Sequence, residues 1–415
     1  MTIIISAIKI IFLLGFLILI HEAGHLTVAK LCKVKVNEFA IGFGPTIWKK
    51  QGKETKYAIR LIPLGGFCSM EGEEERSENQ GSFSKTSIPK RIAIVAAGAA
   101  VNIIFGLIVY FILMSTSNTY ITNQIDNTID GYAAQEIGLL QNDKIIEIDG
   151  KKIKNKYDLN KIMKKNNGEE INLKIERNGE ILEYNIKPTE VKNKSTGIYL
   201  GEDCKIIAVE KGSSAEKQGI KTNDKIIKIN NQKINGDTNK IVEIVNQKDI
   251  NTLLITISRG NEEFDIELTP EYISSYYLGV NLKQSENTFL NHIIYGGIET
   301  KEFAFSILDN IKMLFTGGVS VDQMMGPVGI SEVVAKTNGA KEFIYMLALI
   351  SLSLGVTNLL PIPALDGGKI LILIIEAIRR KPLKEKTEIN IQLIGFSILI
   401  ALSLYITYND ILRIF

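Results

Sequence analysis

The chain has 415 residues, of which 45% are hydrophobic and 23% are charged, with a formal net charge of +2. This length suits roughly two to four structural units, and the mixture suggests apolar membrane spans joined to polar domains. The small net charge, without a dense basic tract, excludes nucleic acid as an expected partner. Cys32, Cys68 and Cys204 have no paired spacing, which argues against a disulfide framework and a cysteine-rich zinc finger.

The first predicted element is an apolar run from Ile3 to Ile20, long enough for most of a bilayer crossing. No Lys or Arg precedes the run and no small-residue cleavage site follows it, so a membrane helix is favoured over a cleaved signal peptide. Lys9 lies inside the run. It either reaches the near membrane surface or faces the interior of a helix bundle.

A His-Glu-x-x-His motif, His21 to His25, directly follows this run. Residues four positions apart share a helix face, so His21 and His25 can bind one metal ion. Glu22 is then placed to act as a base on water at the metal. The pattern is typical of zinc peptidases and predicts a hydrolytic site at membrane depth.

Three further apolar runs predict membrane helices, at about Ile92–Met114, Phe343–Leu360 and Ile391–Ile406. Lys and Arg cluster between the first two spans and again between the last two. The positive-inside rule therefore places both of these loops in the cytoplasm. The two termini and the middle region Ser115–Glu342 are then expected outside, with the histidine pair towards the cytoplasmic side.

The middle region contains an internal repeat. Ala134–Asp149 aligns without gaps with Ala215–Asn230, and each copy predicts a short helix stopped by a glycine, a turn and a strand. The pattern resembles the PDZ domain of membrane and secreted proteases, which typically binds peptides by adding a strand to a sheet edge. Two small α+β spacers without a ligand are the alternative.

A helix with one apolar face is predicted next, over Phe289–Phe315. Phe303 and Ile307 belong to that face. The helix either packs on protein or lies on the membrane surface.

A third metal ligand is required, because a zinc site needs at least three ligands from protein. The remaining histidine, His292, lies on the outer side in the predicted topology, so a carboxylate is expected. Asp366 is the best candidate, because an acid embedded between apolar segments is costly unless it is paired. An ordinary loop aspartate at a helix end is the alternative.

The backbone around Asp366 can bring its carboxylate inward. Pro361 and Pro363 break the preceding helix, and Gly367 and Gly368 are expected to let the chain turn.

Taken together, these motifs resemble the site-2 protease family of intramembrane zinc metalloproteases, and most closely its RseP branch with two PDZ domains. The resemblance covers nearly the whole chain. Beyond the histidine motif and the repeat, it is carried by Asn358–Gly367, Gly42–Pro45, Ile62–Phe67 and Gly326–Ile330.

The resemblance implies a Zn2+ cofactor bound by His21, His25 and Asp366, with Glu22 as the catalytic base. It implies regulated intramembrane proteolysis of single-span membrane substrates that another protease has already shortened. Anti-sigma factors and remnant signal peptides are the typical substrates. The PDZ pair would act as a substrate size filter, and the expected location is the bacterial inner membrane.

Substrate-binding residues are also implied by the resemblance. Gly65 and Gly66 belong to a membrane-associated β element that presents substrate as an added strand, and Asn358 binds substrate backbone or only caps a broken helix. Family members carry Gly-Pro-x-x-Asn in the second span, whereas here the segment Gly98–Asn102 lacks the proline. The segment therefore lacks the proline that would kink the helix locally, and the resemblance implies a polar contact for Asn102.

The expected fold class is a polytopic α-helical membrane protein with about four transmembrane helices and two inserted α+β PDZ domains. Residues 1–115 would hold the first two membrane helices and the cytoplasmic β-loop, and residues 341–415 the last two membrane helices. The PDZ domains would span 120–195 and 197–283, followed by linker helices in 285–340.

Two other classes of function are compatible with parts of this pattern. A membrane scaffold would use its PDZ domains to bind peptides and its zinc for structure, but a structural site has no need of Glu22. A transporter or metal carrier would place His21 and Asp366 on an ion path, but tandem PDZ domains do not suggest transport.

Overall fold

The computed structural model describes residues 2–73, 75–116, 120–247, 251–260, 262–316 and 324–414. Residues 317–323 of the predicted linker region and the terminal residues 1 and 415 lie outside the described residues. The helices, in chain order, are α1 (Thr2–Leu31), α2 (Ile88–Ser115), α3 (Ala133–Glu136), α4 (Lys156–Met163), α5 (Ser214–Lys217), α6 (Thr238–Val245), α7 (Phe289–Phe315), α8 (Pro327–Lys336), α9 (Gly339–Asn358), α10 (Asp366–Arg379) and α11 (Glu385–Ile414).

The strands fall into a pair near the N-terminus and a larger group in the middle of the chain. They are β1 (Val36–Gln51), β2 (Lys56–Met70), β3 (Ile121–Thr128), β4 (Lys144–Ile148), β5 (Lys151–Lys152), β6 (Ile171–Arg177), β7 (Glu180–Ile186), β8 (Thr189–Ser195), β9 (Ile198–Leu200), β10 (Ile206–Val209), β11 (Lys225–Ile229), β12 (Gln232–Lys233), β13 (Leu253–Arg259), β14 (Glu262–Leu268), β15 (Glu271–Tyr277) and β16 (Val280–Gln284).

Among the described residues, four helices are long and apolar enough to cross a membrane: Ile5–Leu31, Ile88–Ser115, Gly339–Asn358 and Glu385–Leu412. The prediction of a multi-pass membrane protein with an inserted α+β region is confirmed. The first span extends beyond its predicted end, because the polar motif from His21 to His25 continues the helix of α1 instead of ending it.

The chain divides into two compact units. The first unit comprises the described residues up to Thr116 and from His292 onward, and the second lies between them. We call them the membrane unit and the inserted unit.

The membrane unit is held together by close helix packing at small residues. A Cβ at Gly106 of α2 would lie 2.9 Å from the carbonyl oxygen of Ala348 in α9, and one at Gly355 of α9 would lie 2.7 Å from that of Ala99 in α2. Small residues of this kind let membrane helices approach closely. Close packing matters in lipid, because the hydrophobic effect does not drive helices together there. Large apolar side chains such as Phe12 remain exposed on the outer surface, as expected for contact with lipid.

The predicted helix at 289–315 is present as α7, and its apolar face packs on protein. Phe303 stacks on Tyr110 of α2 with ring centroids 3.9 Å apart. Phe303 and Ile307 are both buried in a cluster with Ala348 and Leu352 of α9. Packing on protein, one of the two alternatives for this helix, therefore holds for this part of α7.

The first two strands form a bulged hairpin in the membrane unit that folds back on itself. Phe39 of β1 pairs with both Tyr57 and Cys68 of β2, so the first half of β1 lies between two segments of β2. The segment Gly66–Met70 pairs along one edge with Val36–Ile41. No described strand pairs with its other edge.

The inserted unit contains two copies of the same arrangement. In the first copy the sheet order is β16-β3-β4-β6-β7, with β5 on β4, and in the second it is β12-β11-β13-β14. A buried aspartate at the start of the central strand accepts two hydrogen bonds from an arginine in each copy, Asp143 from Arg177 and Asp224 from Arg259. The residue before each aspartate, Asn142 or Asn223, is left-handed, as the predicted turn requires.

The strand pairing links the two copies more closely than the predicted domain limits of 120–195 and 197–283 suggest. β15 pairs with β8, and β16 pairs with β3. Leu278, between β15 and β16, is buried in the core of the first copy. The region predicted as the second domain thus ends in a strand that completes the sheet of the first, a pairing of distant segments that local sequence patterns do not encode.

Candidate metal centre and catalytic site

Two histidines of α1 and one aspartate from near the other end of the chain converge in the membrane unit. The Nε2 atoms of His21 and His25 are 3.2 Å apart. Oδ2 of Asp366 lies 3.3 Å from Nε2 of His21 and 3.6 Å from Nε2 of His25. One ligand atom from each residue falls within 4.8 Å of the others. This is the trio that the sequence predicted as metal ligands.

The ring of His25 is oriented by a backbone carbonyl of α2. Its Nδ1 lies 2.9 Å from the carbonyl oxygen of Ile94, and the contact is buried. Because that oxygen can only accept, Nδ1 carries the proton and Nε2 keeps a lone pair. A metal-binding histidine usually makes a hydrogen bond of this type with its second nitrogen.

The ring of His21 is oriented by Asn102, which is fully buried in α2. The side-chain amide of Asn102 lies 3.4 Å from Nδ1 of His21. Oδ1 of Asn102 has no hydrogen-bond partner among the described residues. With the amide turned so that Oδ1 faces the ring, it accepts the Nδ1 proton and leaves Nε2 of His21 free to bind a metal.

Asp366 is the first residue of α10, and the loop before it is packed tightly. A Cβ at Gly367 would lie 2.2 Å from the carbonyl oxygen of Leu360, and one at Gly368 would lie 2.2 Å from that of Ile362. In the loop between α9 and α10, the residue with a left-handed backbone conformation is Ala364. The two glycines, expected to let the chain turn, instead allow close approach of the backbone.

The donor set fits a zinc ion. Two imidazole nitrogens and one carboxylate oxygen are the three protein ligands of many catalytic zinc sites. Oδ2 of Asp366 is buried and accepts no hydrogen bond from the described residues, an arrangement that is costly for a carboxylate without a cation.

Glu22 lines the same cavity of about 330 Å³ as the three candidate ligands. Its carboxylate accepts a hydrogen bond from the backbone N–H of Cys68, on the edge segment of β2. Burial raises the pKa of the Cys68 thiol to about 12, so this thiol stays protonated near neutral pH and is a poor nucleophile. Glu22 remains the predicted acid–base group of the cavity.

The predicted substrate-binding residues lie at different distances from this cavity. Gly66 lines it and packs against Ile18 and Glu22. Gly65 is left-handed, and the ring of Phe43 fills the space where its side chain would be. Asn358 is the last residue of α9 and half-buried, and it is not among the described residues that line the cavity. The substrate-binding roles of these residues and of Asn102 stay predictions.

Some residues of the site were not predicted from the sequence. Gly98 of α2 lies against both imidazoles, and Gly24 of α1 lies where a Cβ would be 2.6 Å from the carbonyl oxygen of Ala97. Lys369 and Glu73 line the cavity and form an ion pair of 2.7 Å. The sequence feature that could have indicated this packing is a glycine in each of the first two apolar spans, Gly24 and Gly98.

Comparison with known proteins gives matches along nearly the whole chain. The sequence profile described as "Peptidase family M50" matches residues 9–402. The "Regulator of sigma E protease" of Haemophilus influenzae is 29% identical over 97% of each chain. The "Zinc metalloprotease RasP" of Bacillus licheniformis is 31% identical, and the "Regulator of sigma-W protease RasP" of Bacillus subtilis is 30% identical, each over 99% of both chains.

Proposed function

The chain belongs to peptidase family M50, the site-2 protease family, and we propose that it cleaves single-span membrane proteins with zinc bound by His21, His25 and Asp366. As a member it is a metalloendopeptidase of the intramembrane type. One observation carries the proposal: the three ligand atoms lie within 4.8 Å of one another, in the cavity that Glu22 also lines.

The chemistry divides between the ion and the side chains. Zinc, when bound, polarises a carbonyl and makes water acidic enough to lose a proton near neutral pH. Glu22 accepts the proton of the attacking water and returns it to the nitrogen of the leaving peptide. The N–H of Cys68 holds the Glu22 carboxylate in the cavity. Ile94 and Asn102 hold the two imidazoles, which supports catalysis by keeping the ligands in one geometry.

The substrate is proposed to bind as an added strand on the edge segment Gly66–Met70. A helical substrate must unwind locally, because the carbonyls of an intact helix are already hydrogen-bonded. An extended peptide can regain those bonds on an open sheet edge. The edge segment has an unpaired side among the described strands, and its Cys68 N–H contacts Glu22. A strand added there would pass beside the proposed base.

The proposed substrates are single-span membrane proteins that another protease has already shortened. Relatives are named for the regulation of sigma E and of sigma-W. We therefore place membrane-bound anti-sigma factors first among the substrate classes and remnant signal peptides second. The proposed location is the bacterial inner membrane, with both termini and the inserted unit outside and the site open to the cytoplasm.

The inserted unit is proposed to be a PDZ pair that filters substrates by size. It joins α2 directly to α7 in the chain, so it is tethered to the membrane unit at both ends. A folded unit of this kind can exclude a bulky outer domain while admitting a trimmed one.

Reconstitution of the full chain in liposomes with a model single-span peptide tests the function. We expect cleavage, loss of cleavage with a chelator, recovery with zinc, and about one zinc per chain. Asp366→Ala should lose most of its zinc, whereas Asp130→Ala, an exposed acid of the inserted unit, should keep it. Full zinc and full activity in Asp366→Ala would refute the ligand assignment, and cleavage that persists after complete removal of metal would refute the metallopeptidase mechanism.

A further inference from the structure

A second cavity of the membrane unit, of about 520 Å³, lies apart from the metal site. Among its lining residues, the cationic side chains exceed the carboxylates by five to two. The cations are Arg76, Lys85, Arg91, Arg380 and Lys381, and the carboxylates are Glu78 and Glu376.

Glu376 organises two of these cations. Its side chain is 3% exposed, and its carboxylate lies 3.3 Å from Nη1 of Arg91 and 3.7 Å from Nη2 of Arg76. It also accepts a hydrogen bond of 2.8 Å from the N–H of Leu383. The guanidinium of Arg76 also donates a hydrogen bond to the carbonyl oxygen of Leu383. Glu376 and this carbonyl thus hold two guanidinium groups at the wall of the cavity, and one carboxylate does not neutralise both. Nε of Arg91 is buried and has no hydrogen-bond partner among the described residues.

The other cations leave the cavity positive. Lys85 forms an ion pair with Glu78. Arg380 and Lys381 follow the end of α10 and are exposed, and neither forms an ion pair within the described part of the chain. Clustered positive charge of this kind is unfavourable unless an anion or solvent compensates it.

The position of the cavity indicates which anion it can meet. Ile88, the first residue of the membrane span α2, lines it. The N-cap residue Ser87 makes no side-chain cap hydrogen bond, so the first turn of α2 adds its own preference for negative charge. Ala377 and Pro382 contribute apolar surface beside the cations. A basic cavity with an apolar wall where a span begins is the arrangement in which lipid headgroups are recognised.

We propose that this cavity binds a phosphate group, held by the guanidinium groups of Arg76 and Arg91 and by the charges of Arg380 and Lys381. Paired guanidinium groups match the geometry of phosphate oxygens. The start of the membrane span favours the headgroup of an anionic phospholipid as the source of that phosphate. The site is independent of the catalytic proposal, because none of its residues lines the metal cavity.

Binding is tested on the full chain in a non-ionic detergent by native mass spectrometry. The probes are short-chain phosphatidylglycerol, phosphatidylcholine with the same acyl chains, and inorganic phosphate. We expect saturable binding of phosphatidylglycerol that exceeds binding of phosphatidylcholine. R380Q/K381Q should weaken it roughly 25-fold, since each Lys or Arg near an anionic lipid contributes about 5-fold. R380K/K381R, which keeps both charges, should bind like the parent.

K49Q/K50Q is the matched control, because it removes two exposed cations of the β1 strand that do not line the cavity. An equal loss in K49Q/K50Q, or no loss in R380Q/K381Q, would overturn the proposal. Equal binding of the two lipids would overturn it as well, because association would then be driven by acyl chains. Saturable binding of inorganic phosphate that R380Q/K381Q abolishes, without retention of phosphatidylglycerol, would support the phosphate site and assign it to a soluble ligand.

Discussion

Gly98 of α2 lies so close to His25 of α1 that a Cβ on Gly98 would be 2.3 Å from Nε2 of the imidazole. The same Cβ would lie 2.8 Å from Nε2 of His21. These are the two nitrogen atoms that face Asp366. The missing side chain of Gly98 therefore leaves the space that the proposed zinc ligands share.

Gly98→Ala is predicted to impair metal binding. The new methyl group must push the imidazoles away from each other or from Asp366, and misplacement by about 1 Å can cost on the order of 100-fold in rate. We expect cleavage to fall by at least that factor and zinc content to fall with it, measured by metal analysis of purified protein. Gly297→Ala is the control, because no contact within 4 Å is found for a Cβ there among the described residues. Parent zinc content and rate in Gly98→Ala would show that the two Nε2 atoms do not share an ion.

Glu22→Gln is predicted to slow peptide cleavage strongly while leaving the fold and the bound metal intact. Glutamine has the same shape and can still accept the Cys68 N–H, but it cannot take a proton from water. A positioned general base typically contributes about 10²- to 10⁴-fold, so kcat should fall by that range with zinc content unchanged. Glu54→Gln, at an exposed turn of the β1–β2 hairpin, should behave like the parent. A Glu22→Gln enzyme that cleaves at the parent rate would exclude Glu22 as the base.

Substitutions of Asn102 distinguish two roles for this residue, positioning of the His21 ring and contact with substrate. If its oxygen accepts the Nδ1 proton of His21, Asn102→Leu should weaken zinc affinity about 10- to 100-fold, the usual effect of losing such a partner. Asn102→Asp, which keeps an acceptor at the same place, should retain most of the affinity. Competition with a fluorescent zinc chelator measures both. A raised KM in Asn102→Leu with unchanged zinc affinity would instead support the substrate contact.

The sequence predicted this site only as far as local patterns reach. His21 and His25 share a helix face whatever the fold, because residues four positions apart are about one helical turn apart. Asp366 followed from a shortage of ligands together with the cost of a carboxylate between apolar segments. Ile94 and Gly98 could not be placed, because α1 and α2 are apolar on most of their surfaces and their periodicity does not specify which faces meet. The pairing of β16 with β3 was equally inaccessible, since it joins distant segments.

The first copy of the inserted repeat should have an acid-sensitive stability that depends on Asp143. Burial opposes ionisation of this carboxyl, but hydrogen bonds from Arg177 and from the Leu140 N–H outweigh it and lower its pKa. A lowered pKa in the folded state stabilises the fold above the unfolded pKa of about 3.9, and this contribution is lost as pH falls through the folded pKa.

Asp143→Asn should therefore destabilise the first copy by about 1–3 kcal/mol near neutral pH. The difference from the parent should shrink below about pH 4, where the Asp143 carboxyl of the unfolded parent begins to protonate. Amide hydrogen exchange of β4 and β6, near neutral pH and below about pH 4, measures the effect. Glu169→Gln, at an exposed residue, is the control. A stability difference that stays constant down to pH 2 would show that ionisation of Asp143 does not contribute.

The inserted unit can be removed without stretching the chain, which allows a direct test of the size filter. Gln284 of β16 pairs with Ile121 of β3, and the N–H of Ser285 donates to the carbonyl oxygen of Tyr120 at 2.7 Å. The two ends of the segment Ile121–Gln284 are thus already neighbours. A short Gly-Ser linker can replace the segment, because paired residues of adjacent strands lie about 5 Å apart.

Deletion of Ile121–Gln284 should leave the zinc content unchanged, because the three proposed ligands belong to α1 and α10.

If the inserted unit is a filter, the deletion variant should cleave a full-length substrate that the intact enzyme spares, and should cleave the trimmed form at the parent rate. If the unit recruits substrate, cleavage of the trimmed form should fall instead, so one pair of substrates in liposomes separates the two models by opposite signs of change. We expect the result of the size-filter model. A unit that is tethered to the membrane unit at both ends can exclude bulky substrates without binding peptides. Unchanged rates on both substrates would contradict both models and leave the two copies as spacers between α2 and α7.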